Sequence, residues 1–141
     1  MHGIRFTGIA GNEEERSGNF PLAVRRKGIT VSLINFTYGT NLGGTAHWPK
    51  TNYMSEREEI LKALKKAESA DFTIVLPHWG EEYRLTHSAR QEEIAGWLAE
   101  NGADAIIGAH PHVVQDTATV KGIPVVYSLG NAVSNMSAEN T

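Results

Sequence analysis

Apolar positions along this chain change their period several times, and each change predicts a new element. Residues 3–11, GIRFTGIAG, open with a short apolar strand pattern that ends on glycine. The next stretch, NEEERSGN (12–19), is charged and rich in turn formers, which predicts an exposed loop. In PLAVRRKGITVSLINF (21–36), Ile29, Val31 and Leu33 alternate with Thr30 and Ser32, so two strands are expected around a Lys27-Gly28 turn. TYGTNLGGTAHWPKTN (37–52) holds three glycines and no period, a long loop of the kind that often carries function.

A helical period takes over in SEREEILKALKKAESA (55–70). Ser55 and Glu58 form a capping-box pattern, and Ile60, Leu61, Leu64 and Ala67 fall on one face. DFTIVLP (71–77) is a continuous apolar run between Asp71 and Pro77, which predicts a buried parallel strand. The loop HWGEEYRLTH (78–87) follows, and a second box, Ser88 with Gln91, starts the helix ARQEEIAGWLAEN, with Gly102 suited to its C-terminal cap. ADAIIGA then predicts a strand and HPHVVQ its exit loop; TATVKGIPVVYSLGN (117–131) reads as a hairpin around Lys121-Gly122. The polar tail SNMSAENT is expected to fray. No internal repeat interrupts this order, and 141 residues fit one domain with a real core.

Helix, strand, helix, strand is the pattern of parallel strands joined by crossovers, and it places the class as α/β. The C-terminal ends of the two strands then share one edge of the sheet, where open α/β sheets place ligands. His78 begins the first exit loop, and His110 and His112 lie in the second. Three imidazoles at one edge suit zinc, iron or manganese, with carboxylates or water completing the shell. A lone histidine beside a strand is usually a hydrogen-bonded loop residue, and His2, His47 and His87 stay in that class; the ligand reading rests on His78, His110 and His112 together. Glu81, Glu82 and Asp116 stand three to four residues beyond these histidines, either as solvated loop charges or as groups that orient substrate or move a proton. His87, next to the Ser88 cap, is expected to contact water and little else.

Composition narrows the functional classes. A net charge of −3 with scattered Lys and Arg leaves no footprint for nucleic acid. No apolar stretch approaches the ~20 residues of a membrane span, and the start, MHGIRFTGIA, lacks the pattern of a signal peptide. With no cysteine there is no disulfide and no thiolate site, so any metal must use His, Asp, Glu or Asn.

LPHWGEEY, GADAIIGAHPHVVQ and IPVVYSLGN, preceded by GIRFTGIAGN and GITVSLINFTYGTN, together resemble the bacterial capsule-synthesis CapA (poly-gamma-glutamate synthesis) family. The resemblance covers most of the chain in matching order. It implies a calcineurin-like metallophosphoesterase fold, a β-sandwich flanked by helices, of which this chain is the C-terminal portion. It implies metal ligation by His78, His110 and His112, with Gly108 and Ala109 opening a Gly-x-His-x-His pattern, and it puts Asn131 of the SLGN loop at the site rim. Glu81, Glu82 and Asn131 are then the candidate substrate-binding residues, and two divalent ions are expected in the full-length protein. The superfamily's Asp-x-His, Gly-Asp and Asn-His motifs normally precede these residues, and the chain begins downstream of them, so it holds half a site. The resemblance implies capsule or anionic-polymer biosynthesis outside the cytoplasm, with a phosphoester or anionic polymer as substrate and the capsule machinery as partner. A non-catalytic polymer- or partner-binding module is the alternative, and a purely structural domain ranks last. Removing strands from a sandwich exposes sheet edges and an apolar face, which a homodimer would cover.

Overall fold

Turn signals and strand periods resolve into an α/β fold built on one six-stranded sheet. The computed structural model describes residues 3–41 and 47–134; His2 and all of the polar tail beyond Ser134 lie outside them. The first strand, β1 (Ile9–Ala10), is followed by α1 (Glu13–Asn19), β2 (Leu22–Arg26), β3 (Ile29–Thr37) and β4 (Lys50–Thr51). Then come α2 (Arg57–Ala67), β5 (Phe72–His78), α3 (Ala89–Glu100), β6 (Ala105–Ile107), β7 (Thr117–Val120) and β8 (Ile123–Val126). Sheet order is β2-β3-β5-β6-β8-β7; the four inner strands run parallel and the two edge strands antiparallel, while β1 and β4 form a separate antiparallel pair.

Both expected hairpins are present, and their turns explain themselves. Lys27 and Lys121 sit at φ 51° and 50°, each followed by a glycine at φ 87° or 89°, the paired positive angles of a two-residue hairpin turn. Helices α2 and α3 cover one face of the sheet. Ile34, Val75, Ile106 and Val125 lie in register across four strands, each at most 1% exposed. They pack with Ile60, Ala63, Leu64 and Ala67 of α2 and Ile94, Ala95 and Leu98 of α3. Burying a side chain the size of Ile60 or Leu64 contributes about 1.5–3 kcal/mol, which makes this row the chief source of cohesion.

Three expectations need correction. The charged stretch 12–19 is helix, not loop: the Asn12 side chain accepts from Glu15 N (2.8 Å), and Glu13, Glu14 and Glu15 sit where the helix dipole favours negative charge. Helix α2 starts one residue later than the Ser55 box requires. Its N-cap is Glu56, whose carboxylate instead pairs with Arg16 of α1 (2.8 Å) and accepts from Tyr53 N (3.2 Å). Strand β5 is parallel as expected, but its burial alternates, and Phe72 is 52% exposed. Helices cover only one side of it, so Leu33, Ile74 and Leu76 on the other face are half-buried.

That second face has a measurable consequence. Val24, Val31, Leu33, Phe72 and Ile74 form an apolar surface across β2, β3 and β5. The isolated chain is therefore expected to self-associate and to bind an apolar dye. Phe72→Lys should reduce both, read by size exclusion and dye fluorescence, with little change in melting temperature. Unaltered association would show that this face is not the contact.

Candidate metal centre

Parallel pairing carries the ends of β5 and β6 to the same edge. Trp79 N donates to the Ala109 carbonyl and Ala109 N to the Pro77 carbonyl, both at 3.0 Å, and His78 bridges to Ala109. Ring centroids of His78 and His110 stand 4.6 Å apart, and those of His110 and His112 stand 6.1 Å apart. Tyr38, just after β3, packs against His110 at 4.6 Å and His78 at 5.8 Å. The backbone is bent to achieve this. His110 has φ 109° and His112 φ 63°, on either side of Pro111, whose carbonyl accepts from Tyr83 N (2.8 Å). Such angles cost a non-glycine residue about 1–3 kcal/mol and persist only where neighbours hold them.

Hydrogen bonds decide which ring nitrogen faces the site. Thr37 Oγ1 gives its one proton to the Gly39 carbonyl (2.8 Å), so toward His78 Nδ1 (2.9 Å) it can only accept. His78 thus carries its proton on Nδ1 and presents a lone pair at Nε2. Asn131 Oδ1, also an acceptor, takes the Nδ1 proton of His112 at 2.9 Å, which leaves His112 Nε2 free to ligate. That Nε2 stands 4.0 Å from Glu82 Oε1, too long for a hydrogen bond.

The donor set fits a borderline divalent ion. Among the described residues, Glu82, His110 and His112 each offer a ligand atom, and these atoms lie within 4.8 Å of one another. Two ligands of a tetrahedral ion with bonds of ~2.0–2.1 Å stand roughly 3.4 Å apart, so a small inward movement closes the shell. His78 is outside this mutual set, although its ring packs against His110.

Electrostatics favour neutral imidazole here. Burial, then the neighbouring His110 and His112, lowers the pKa of His78. For His110, burial lowers it, the Glu82 carboxylate pulls it back up, and His112 lowers it further, with a net fall. Both rings keep their lone pairs at neutral pH, ready for a metal. Stability follows the same sign. An unfolded histidine takes up its proton near 6.5 and the folded ones only below that, so acid favours unfolding. The melting temperature of the metal-free protein is expected to fall as pH drops through the ordinary histidine range. His78→Gln should flatten that slope; an unchanged slope would contradict the burial argument.

The carboxylates divide. Glu82 faces the imidazoles, whereas Glu81 is exposed and pairs with Arg84 at 3.3 Å. Asp116 turns away to His87, accepting from its backbone N (3.1 Å) and pairing with its Nδ1 (2.7 Å). Burial acts to raise the Asp116 pKa, but the hydrogen bonds from His87 prevail and lower it. His87 itself corrects the expectation of a ring in water: it stacks on Tyr127 with centroids 3.8 Å apart and planes 8° from parallel. Exposed His47 belongs to no metal group among the described residues. Thr37 and Tyr38 had no signal in the sequence beyond their place in a long glycine-rich loop.

With this geometry in hand, relatives are informative. The profile of the family described as Bacterial capsule synthesis protein PGA_cap matches residues 1–136. The capsule biosynthesis protein CapA of Bacillus anthracis is 38% identical over 112 residues, covering 75% of this chain and 27% of that protein. The PGA biosynthesis protein CapA of Bacillus subtilis (strain 168) is 33% identical over 108 residues, covering 75% and 28%. The chain thus spans about a quarter of the length of these curated relatives. A hypothetical protein from Thermus thermophilus aligns in structure over 78% of this chain and 38% of its own, with a TM-score of 0.45 and 20% identity. Matched along nearly all of its length, the chain belongs to the bacterial capsule synthesis protein PGA_cap family.

Proposed function

We propose that this chain is the C-terminal, metal-holding portion of a capsule or poly-gamma-glutamate biosynthesis protein, acting as a metal-dependent hydrolase of the metallophosphoesterase type. The observation that carries the reading is the convergence of Glu82, His110 and His112, with the Nδ1 proton of His112 held by Asn131. Glu82, His110 and His112 would hold one divalent ion (zinc, manganese or iron), and His78, beside His110, would serve a second. An ion held there supplies Lewis acidity toward a phosphoester or a related electrophile. The residues themselves contribute lone pairs fixed in place, a half-buried edge that limits water, and Tyr38 as an apolar wall. Glu81 and Arg84 at the rim offer charge of both signs for contact with an anionic substrate.

The relatives' names support the process, capsule or poly-gamma-glutamate biosynthesis. An anionic polymer, the capsule machinery, a location outside the cytoplasm and a homodimer through the apolar sheet face are parts of the same proposal. No helix among the described residues is long and apolar enough to cross a membrane. The test compares two preparations on a generic aryl phosphodiester with added manganese or zinc. Metal-dependent turnover is expected from the full-length protein and little or none from these 141 residues alone, because the metal group found among the described residues holds a single carboxylate, Glu82, beside two histidines, and two metals ~3.5–4 Å apart need more ligands than that. Robust turnover by the isolated chain would overturn the half-site reading. A full-length protein that binds metal and polymer without turnover would replace the hydrolase with a binding module.

A further inference from the structure

Glu82 reaches the imidazoles from a loop that has no secondary structure of its own, and two buried glutamines account for its path. Gln115 is 3% exposed and Gln91 1%. Gln115 Nε2 donates to the Arg84 carbonyl (2.9 Å) and to the Thr86 carbonyl (3.1 Å), so both of its protons are used on one loop. Its Oε1 accepts from Gln91 Nε2 (2.9 Å), and Gln91 Oε1 accepts in turn from Ser88 N (2.9 Å). The chain of amides therefore runs in one direction, from the start of α3 through the interior to the loop that carries Glu82. Gly80, at φ +89°, lies against Gln91; a Cβ there would stand 2.9 Å from the Gln91 amide, so the turn out of β5 is shaped around the same side chain. On the far side of Glu82, Tyr83 N donates to Pro111, and the Tyr83 ring stacks on His112 with centroids 6.0 Å apart.

We infer that Gln115 and Gln91 form a positioning clamp that holds residues 82–88 against the His110–His112 loop and thereby aims Glu82 into the metal site. The inference rests on the metal reading proposed above, but the clamp itself is a property of the metal-free fold. Neither glutamine touches the site. They act through the backbone, by fixing carbonyls that would otherwise turn to water and take the loop with them. A buried network of this kind favours one loop conformation over its alternatives, and the Glu82 side chain is itself 53% exposed.

The test uses the full-length protein with Gln115→Met, which keeps volume and removes the donors, alongside Glu82→Gln and the double variant. Val113→Ala, which removes buried methyl groups from the same loop, serves as the control for general loosening. Without metal, hydrogen exchange at the Tyr83 and Ser88 amides should rise about 10-fold in Gln115→Met, with α2 unchanged. With Mn²⁺ alone as probe, affinity should fall about 10- to 100-fold in Gln115→Met. The double variant should bind no more than about twofold worse than Glu82→Gln, because both changes remove the same ligand. Val113→Ala should lower the melting temperature while leaving Mn²⁺ affinity within about twofold. Additive losses in the double variant, or an equal loss in Val113→Ala, would overturn the clamp as a device for Glu82, as would unchanged exchange. If wild-type protein binds no Mn²⁺, the metal reading fails by itself, and the exchange result alone decides the clamp.

Discussion

Replacing His112 with alanine in the full-length protein is expected to cut metal affinity about 100-fold or more, while His87→Ala leaves it within about twofold. The two histidines differ in what holds them. His112 has its Nδ1 proton committed to Asn131 and its Nε2 turned toward Glu82, so its lone pair is already aimed. Deleting it opens a coordination position, and among the described residues no further metal-ligating side chain belongs to the group. His87 is committed elsewhere, to Asp116 and to the face of Tyr127. Its removal should lower stability by roughly 1 kcal/mol, the usual contribution of a stacked aromatic pair, without touching the metal. Metal analysis after exhaustive dialysis, with melting curves on the same samples, checks both halves. Asn131→Ala should fall between them, at about 10-fold, because it frees the ring of His112 without removing it. Equal metal retention in His112→Ala and His87→Ala would return His112 to the ordinary loop histidines.

Gly108→Ala is expected to be among the most damaging single changes available to this chain. A Cβ at Gly108 would stand 2.1 Å from the Tyr127 carbonyl oxygen and 2.3 Å from Trp79 Nε1. Neither neighbour can retreat. The Tyr127 carbonyl accepts the indole proton of Trp79 at 2.9 Å, and Trp79 is fully buried. Gly108 also exchanges backbone hydrogen bonds with the chain beside it, donating to Val126 (2.8 Å) and accepting from Leu129 (3.1 Å). A methyl group must therefore push the β6 exit loop away from β8 or break the indole bond, a loss of about 3 kcal/mol. In a chain of this size that lowers the melting temperature by roughly 10 °C. The loop displaced is the one that carries His110 and His112, so metal affinity should fall as well. A variant with wild-type melting and metal content would show that the β6–β8 contact is looser than described. The glycine is required here by close approach of backbone and indole.

Much of this was legible from the chain because the signals were local. The Ser88–Gln91 box caps α3 as read, the Lys-Gly turns close both hairpins, and the order helix, strand, helix, strand does bring His78 and the His110–His112 pair to one edge. Helix α1 was not legible because it buries no residue and so has no apolar period; cap and dipole alone define it. The Ser55 box misled because Glu56, one residue on, has a stronger use in pairing with Arg16, 40 positions away. Carboxylates were the hardest to assign. Glu81 and Glu82 are neighbours in sequence, and only the turn at Tyr83 (φ 63°) and the glutamine bonds 29 to 31 positions away separate a solvated charge from a candidate ligand. Likewise, nothing near Asp116 in sequence predicts His87 as its partner. Geometry that depends on long-range side-chain hydrogen bonds leaves no periodic trace.

Anomalous diffraction from crystals of the full-length protein, recorded at the absorption edge of the bound metal, would locate the ion and its ligands. A metal peak is expected, ligated by His112 Nε2, by a ring nitrogen of His110 and by a Glu82 carboxylate oxygen, at about 2.0–2.2 Å if the ion is zinc. Asn131 should still accept the Nδ1 proton of His112. A saturated metal peak bound elsewhere, with His110 and His112 both outside its coordination shell, would contradict the assignment of this sheet edge as a metal centre.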